Sequence, residues 1–140
     1  MINVNFTLTD YTNSNTAKAQ GIDEQFTPTA DIIANLLLLH SNIIVPLLNY
    51  LSGNLICTSG YRCERLNTVV GGTVNSDHIK GMASDLNYFD EKGTKRDDIL
   101  LQTIKDLRLK YRQLGDEHHA EWLHIAYNKD DLKMQIFNVV

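Results

Sequence analysis

The chain has 140 residues, of which 43% are hydrophobic and 21% charged, and its formal net charge is −4. This length suits a single domain with a real core, and the apolar content excludes the disordered, collagen-like and coiled-coil classes. No basic block offers the surface that a phosphate backbone requires, so we expect no nucleic-acid partner.

The first residues, MINVNFTLTDY, lack a basic segment followed by an apolar one. We therefore predict no secretory signal peptide and expect synthesis in the cytoplasm. The uninterrupted apolar runs are much shorter than ~18 residues, which predicts no membrane-spanning helix and no membrane partner. Cys57 and Cys63 match neither a CxxC metal motif nor a disulfide-dense framework, so we expect two buried thiols.

The first third of the chain is expected to contain an extended arm and one long helix. Val4, Phe6 and Leu8 alternate with polar residues, which is typical of a short strand or an arm packed on the core. A turn at residues 13–15 and a short helix follow. Apolar residues at spacings of three and four predict a helix over residues 31–51, capped by Thr29 and kinked or split at Pro46.

The remaining pattern mixes strands and helices. We predict strands over residues 54–58, 84–89, 120–127 and 134–139, a short helix over 62–70 and a longer helix over 95–114 that Gly115 ends. No repeat or linker divides the chain. The mixed order predicts one α+β domain over residues 1–140, with a mostly antiparallel sheet flanked by helices.

Three segments carry residues suited to metal chemistry: SGYR at 59–62, SDHIKGMASD at 76–85 and HAEWLH at 119–124. His78, Asp85 and His124 offer two imidazoles and one carboxylate, which suit Zn²⁺ with a fourth position left for water. Such a site lowers the pKa of its water to ~7 and polarises a carbonyl. Glu121 is near enough in sequence to act as general base, and Arg62 is a permanent cation for an oxyanion or a substrate carboxylate.

Three points about this site remain open at this stage: whether the ligands converge, whether Glu121 can reach them, and whether Cys63 is a nucleophile. Spacing does not show that the three ligands converge, and a single histidine is usually a solvated one. Residues three apart on a regular strand face opposite sides of the sheet, so Glu121 and His124 share a site only if Glu121 precedes the strand or a bulge intervenes. Cys63, which follows Arg62, is a weaker candidate for a nucleophile.

The run SGYR…LN..VGG..NS.H..G.A.D, followed by EWxH, resembles the zinc D-Ala-D-Ala carboxypeptidase family of peptidoglycan peptidases. That family includes D,D-dipeptidases and the L-alanyl-D-glutamate endopeptidases of phage lysins, and its fold is shared with the Hedgehog signalling domain. The segments FTLTDY, TA and GID near the N-terminus also look like the short version of this domain. The resemblance therefore implies a Hedgehog/DD-peptidase-like α+β fold over nearly the whole chain.

The resemblance also assigns roles to individual residues. It implies that His78, Asp85 and His124 are zinc ligands, that Glu121 is the general base, and that Arg62 steadies the substrate carbonyl oxygen and contacts substrate. Two further roles are implied with less weight, one for His119 as an orienting or stabilising residue and one for Ser76 in the substrate pocket. Asp77 stands where many members of the family have Gln. Its negative charge is expected to influence His78 as a metal ligand without contacting the metal itself.

Together these residues imply a zinc metallopeptidase that hydrolyses an amide bond in peptidoglycan stem peptides, as a carboxypeptidase or an endopeptidase. Two alternatives are a non-catalytic zinc module of a phage particle and a cytoplasmic D-Ala-D-Ala dipeptidase. The expected partner is a peptidoglycan peptide, and a monomer is favoured. The expected setting is a phage or prophage protein that acts on the cell wall after release.

Overall fold

The computed structural model describes residues 6–117 and 121–137. The helices that position the site are α1 (Leu8–Thr12), α2 (Asn15–Gln20), α3 (Ala30–Leu39), α4 (Val45–Tyr50), α5 (Glu64–Val69) and α6 (Asp97–Asp106). Short 3-10 helices span Asp23–Phe26 and Asp77–Lys80. The strands are β1 (Asn54–Ser59), β2 (Ala83–Phe89), β3 (Gln113–Glu117), β4 (Trp122–Ala126) and β5 (Gln135–Phe137).

The five strands form one sheet in the order β1-β2-β4-β3-β5. Every neighbouring pair is antiparallel except β3 and β5, which run parallel. The predicted α+β class and mostly antiparallel sheet are therefore confirmed. The register between β1 and β2 shifts between Cys57 and Ser59, directly before the SGYR loop. This irregularity bends β1 where the chain leaves the sheet and enters the SGYR loop.

The predicted helix over residues 95–114 is wrong in its second half. Helix α6 ends at Asp106, and Arg108 adopts a left-handed backbone with φ of 54°. Gly115, expected to end the helix, lies inside β3 and pairs with His124. Leu114 is fully buried, but it lies on strand β3 and not on a helix. The spacing of Leu107, Tyr111 and Leu114 fits one face of a helix, but residues buried from a loop and a strand can have the same spacing, so the pattern was ambiguous here.

Of the two possibilities for the N-terminal residues, a short strand or an arm packed on the core, the described N-terminal residues contain no strand, and Phe6 packs on the core. Residues from Leu8 onward form α1, because Thr7 caps the helix and the Asp10 carboxylate accepts a hydrogen bond from the Thr7 backbone N–H. Phe6 and Tyr11 then pack together in the core, with ring centroids 5.2 Å apart. Val4 lies outside the described residues.

The long helix is present and interrupted, as Pro46 predicted. Thr29 caps α3 by accepting a hydrogen bond from the Ile32 backbone N–H. A π-helical turn over His40–Ile44 joins α3 to α4, which has Pro46 in its first turn. Pro46 has no N–H to donate in the α-helical hydrogen-bond pattern, and the helix changes to the wider π-helical pattern just before it.

The helical stretch Ala30–Tyr50 is long and apolar enough, by length and composition, to cross a membrane. The stretch has 21 residues, and 33% of its most apolar 18-residue segment is buried. The expectation of no such helix, drawn from uninterrupted apolar runs, is not met by this criterion. The buried members Leu36, Leu39, Ile43, Ile44 and Leu47 pack in the main hydrophobic core, as they do in the core helix of a globular domain.

The sheet separates this core from the candidate site. Leu86 on β2 and Leu123 on β4 are fully buried and face the helices. Because side chains alternate along a strand, the adjacent Asp85 and His124 project from the opposite face. The apolar core therefore provides a rigid base for two polar residues that a core would otherwise exclude.

Candidate active site

The three predicted ligands converge although 46 positions separate the first from the last. Asp85 and His124 face each other directly across the ladder between β2 and β4. His78 comes from the 3-10 helix Asp77–Lys80, which leads into β2 through the left-handed Gly81. All three residues are buried, and one ligand atom from each lies within 4.8 Å of the other two.

The distances describe a tight polar cluster. The Asp85 Oδ1 atom lies 2.9 Å from His124 Nδ1 and 3.3 Å from His78 Nε2. The two imidazole centroids are 5.2 Å apart. Burial alone would raise the pKa of Asp85, but the charge of His78 and hydrogen bonds from both histidines outweigh it, so that pKa lies well below its usual value. Asp85 is therefore a carboxylate at neutral pH, as a metal ligand must be.

A hydrogen bond from behind fixes the orientation of His78. Its Nδ1 donates to the Gly60 carbonyl at 2.6 Å, which points Nε2 towards Asp85; once Nε2 gives up its proton, its lone pair is available to a metal. Gly60 is needed because an added Cβ would lie 2.6 Å from the Tyr11 carbonyl oxygen. The Tyr61 backbone N–H also donates to that oxygen, at 2.7 Å, so α1 supports the loop that aims His78.

This donor set fits zinc. The Asp85 Oδ1 atom lies 2.9 and 3.3 Å from one nitrogen of each histidine, so a single ion could be held by all three residues. Two neutral imidazoles and one buried carboxylate leave a net charge of +1 once the ion is bound, which a buried site tolerates better than a bare dication. His78, Asp85 and His124 would hold the ion and leave one coordination position for another ligand.

Arg62 and Ser76, both predicted to contact the substrate, lie beside this cluster. The Arg62 backbone N–H donates to the His78 carbonyl at 3.0 Å, and its Nη2 donates to Ser76 Oγ at 3.3 Å. Ser76 also caps the 3-10 helix, because its Oγ accepts the His78 backbone N–H at 3.2 Å. Ser76 thus positions both the arginine and the first ligand.

The cluster opens into a cleft with two lobes. The first lobe, of about 550 Å³, is lined by His78, Asp85 and His124 and by residues of the Gly71–Gly72 loop, β3 and β5. The second lobe, of about 520 Å³, is lined by residues 13–16 and by the β1–α5 connection. Four residues line both lobes: Arg62, Val70, Asp85 and Trp122. The metal cluster therefore borders the junction of the two lobes.

Glu121 occupies the backbone position that the strand geometry required. It lies in the turn directly before β4, so it is free of the alternation that would turn it away from His124. The Glu121 carbonyl accepts a hydrogen bond of 2.7 Å from Asn87 Nδ2. The Glu121 side chain is exposed and is not among the residues that line either lobe. Its role as general base stays a prediction, and His119 lies outside the described residues.

An ion-pair bridge beside the ligands was not predicted. Arg112, just before β3, contacts Asp77 Oδ2 through Nη1 at 2.7 Å and Asp131 Oδ2 through Nε at 3.1 Å. Asp77, expected to tune His78, bonds to this arginine through its side chain. No short motif marks Arg112, because its partners are 35 and 19 positions away.

Two aromatic side chains line the cleft, and neither cysteine has the features of a nucleophile. Trp122 is half-buried and lines both lobes. Phe137 of β5 lies beside His124, with ring centroids 6.0 Å apart, and lines the first lobe. Cys63 is buried in a small apolar cluster and caps α5, which argues against a nucleophile. Burial raises the pKa of Cys57 to about 12, so its thiol stays protonated.

Comparison with known families decides the assignment. The family model described as Peptidase M15 matches residues 4–126, which include all three candidate ligands, Arg62 and Glu121. The chain belongs to the peptidase M15 family. This family consists of zinc D-Ala-D-Ala carboxypeptidase-like peptidases, and the His78, Asp85 and His124 cluster supplies a group that can hold the metal. A comparison with curated proteins finds no match.

The M15 match ends at the last residue of β4. Residues 127–137, including β5, lie beyond it and still contribute Gln135 and Phe137 to the first lobe. Gly115 makes this docking possible, because an added Cβ would lie 2.7 Å from the Phe137 ring. One wall of the metal cleft is thus built by a part of the chain outside the family match.

Proposed function

We propose that this M15 peptidase hydrolyses an amide bond in peptidoglycan stem peptides with one zinc ion held by His78, Asp85 and His124. One observation carries the proposal: three buried ligand groups meet within 4.8 Å at the junction of a cleft that Arg62 also lines. The cleft beside this cluster gives a peptide access to it.

Each residue in the proposal has a defined task. Zinc, when bound, supplies a Lewis acid that activates water and polarises a carbonyl. Glu121 removes a proton from the attacking water and returns it to the leaving amine. Arg62, held by Ser76, stabilises the oxygen of the scissile carbonyl as negative charge develops there. His119 assists by orienting the reacting groups.

The direct test uses purified cell-wall sacculi. The protein, with and without a chelator, is incubated with sacculi, and new amino termini are identified by mass spectrometry. Zinc-dependent appearance of one defined amino terminus is expected. Zinc-bound protein that releases none under any condition contradicts the peptidase and favours a non-catalytic zinc module. Release of D-Ala only from free D-Ala-D-Ala, with no effect on sacculi, indicates a dipeptidase instead.

The setting of this activity is part of the same proposal. A monomeric chain that reaches the wall after release, as a phage or prophage protein does, would meet stem peptides in the intact polymer. The assay on sacculi, rather than on soluble fragments alone, therefore reproduces the substrate that the proposal names. An enzyme that cleaves only soluble fragments would argue for action inside the cell.

A further inference from the structure

A fully buried glutamine behind the SGYR loop has no role in the chemistry described above. Gln25 lies in the 3-10 helix Asp23–Phe26, between α2 and α3, and no part of its side chain reaches solvent. A side-chain amide is rarely buried this completely unless its polar atoms have partners. Gln25 is not among the described residues that line either lobe, so any influence on the chemistry must pass through the residues that it contacts.

The Gln25 amide makes three hydrogen bonds, all to backbone groups. Its Nε2 donates to the Thr12 carbonyl at 2.9 Å and to the Tyr61 carbonyl at 2.7 Å, and its Oε1 accepts the Cys63 backbone N–H at 2.8 Å. A carbonyl can only accept and an N–H can only donate, so a flipped amide would lose all three bonds. The partners therefore define one orientation of the amide and use both of its donors.

Two of these partners lie on either side of Arg62. The Tyr61 carbonyl belongs to the peptide plane before Arg62, and the Cys63 N–H belongs to the plane after it. The first plane is also held from the other direction, because the Arg62 N–H donates to the His78 carbonyl. Only the φ and ψ angles of Arg62 lie between the two planes. Holding both planes thus sets the direction in which the Arg62 side chain leaves the backbone.

The third bond ties this arrangement to α1. Thr12 is the last residue of α1, and the carbonyl of the preceding Tyr11 accepts the Tyr61 backbone N–H at 2.7 Å. Tyr11 packs in the main core, so the end of α1 is itself fixed. The Gln25 amide therefore connects a core helix to both peptide groups that flank Arg62.

We infer that Gln25 is a positioning residue of the peptidase, whose amide holds the backbone on both sides of Arg62 and so aims the guanidinium at the substrate carbonyl oxygen. The inference rests on the proposed function and adds a residue to it. Gln25 contacts neither the metal ligands nor the cleft. Its loss therefore weakens the transition-state contact of Arg62, leaves zinc binding intact, and has an effect only while the guanidinium is present.

The first experiment combines two substitutions. Gln25→Met keeps the length of the side chain and removes its hydrogen bonds. In the zinc-loaded full chain it is expected to lower kcat on a stem peptide by about tenfold, with KM within about twofold and zinc affinity unchanged, because misplacement of a stabilising group mainly affects the transition state. In an Arg62→Ala background the same change should lower kcat by less than about twofold. Wild-type kcat in Gln25→Met, or an equal loss in both backgrounds, overturns the inference.

Two controls separate positioning from loss of stability. Gln102→Met makes the same substitution on the exposed face of α6, where the amide bonds only to Asp106, and should keep wild-type kcat. Leu48→Ala truncates a core residue and should lower Tm without lowering kcat. A kcat loss in Leu48→Ala equal to that in Gln25→Met contradicts the inference. If Gln25→Met does not fold, Gln25→Glu replaces it with the same expectations, because it keeps the size and the acceptor but lacks the two amide donors.

A second experiment needs no catalysis. Nitrogen-15 relaxation of the Arg62 Nε–H signal, assigned by its loss in Arg62→Ala, reports how firmly the guanidinium is held in the zinc-loaded protein. We expect a rigid signal in the wild type and in Gln102→Met, and a mobile one in Gln25→Met. Equal rigidity in all three proteins overturns the inference. If the wild type cleaves no stem peptide, the proposed peptidase fails, and this measurement still decides whether Gln25 positions Arg62.

Discussion

Arg62 combines a structural and a chemical position. Its backbone donates to the carbonyl of His78, and its guanidinium donates to Ser76 at the mouth of the ligand cluster. The backbone contact is independent of the side chain, so replacing the side chain leaves the loop in place. A cation fixed beside the reacting carbonyl acts mainly in the transition state, where negative charge appears.

We predict that Arg62→Ala lowers kcat by about 10²–10³, the usual effect of removing one oxyanion-stabilising group. KM and zinc affinity should change little, because the ligands are held by other contacts. Steady-state kinetics on a stem peptide, with circular dichroism as a check of folding, provide the measurement. Wild-type kcat in a folded, zinc-loaded Arg62→Ala protein would remove Arg62 from the mechanism.

Asn87 connects the proposed base to the rigid sheet. It lies two positions after Asp85 on β2, and its Nδ2 donates both to the Glu121 carbonyl and to Asp97 Oδ2 at 2.9 Å. Asp97 is itself held by the Tyr88 backbone N–H at 2.8 Å. This chain of hydrogen bonds fixes the backbone of a turn whose glutamate side chain is exposed.

We predict that Asn87→Leu reduces kcat by roughly tenfold, since a misplaced base transfers protons less efficiently. KM and zinc affinity should stay near wild type, and Asn87→Leu should add little further loss in a Glu121→Gln background, where the base it positions is already absent. Asn42→Leu is the matched control, because it removes an equivalent amide-to-carbonyl bond on an exposed helix. Equal kcat in wild type and Asn87→Leu would show that this contact does not serve the base.

At the scale of elements, the bridge through Arg112 joins three segments. It ties the 3-10 helix that carries His78 to the start of β3 and to the loop before β5. The Asp77 side chain is 6% exposed, so its carboxylate depends on the arginine for charge compensation. The C-terminal segment beyond the family match is thereby coupled to the metal ligands.

Arg112→Met removes the guanidinium and leaves the Asp77 carboxylate buried and unpaired, so we expect the free energy of unfolding to fall by about 2 kcal/mol. The loss is smaller than for a fully buried pair because the Arg112 side chain is partly solvated. Urea denaturation provides the measurement. Arg65→Met, which breaks an exposed pair with Glu24, is the control and should cost less than about 0.5 kcal/mol. Adding Asp77→Asn to Arg112→Met should recover stability; no recovery would contradict the proposed cause.

Element boundaries show which sequence signals were sufficient. The cap at Thr29 and the break near Pro46 were predictable, because both depend on local backbone chemistry. The end of α6 and the existence of β3 were not, because Leu114 becomes buried only when β3 pairs with β4. The helical start at Leu8 was missed because three alternating residues outweighed the capping pair of Thr7 and Asp10.

At the scale of the whole molecule, the ligand set was predictable and its surroundings were not. The family-like spacing of His78, Asp85 and His124 identified the cluster before any fold was known. No short motif encodes contacts between segments that are distant in sequence. Three such contacts surround the ligands: those of Arg112 with Asp77, Asn87 with Glu121, and Phe137 with His124. The second lobe likewise exists only because α2 packs beside the β1–α5 connection.

The most direct test of the metal site is a zinc titration of the metal-free protein by calorimetry. We predict one tight site per chain, a higher Tm with zinc because the ion binds the folded state, and loss of the site in His124→Ala and Asp85→Asn. His40→Ala, a histidine outside the cleft, should keep it. Absence of zinc binding by the wild type, or unchanged binding after His124→Ala, would contradict the account.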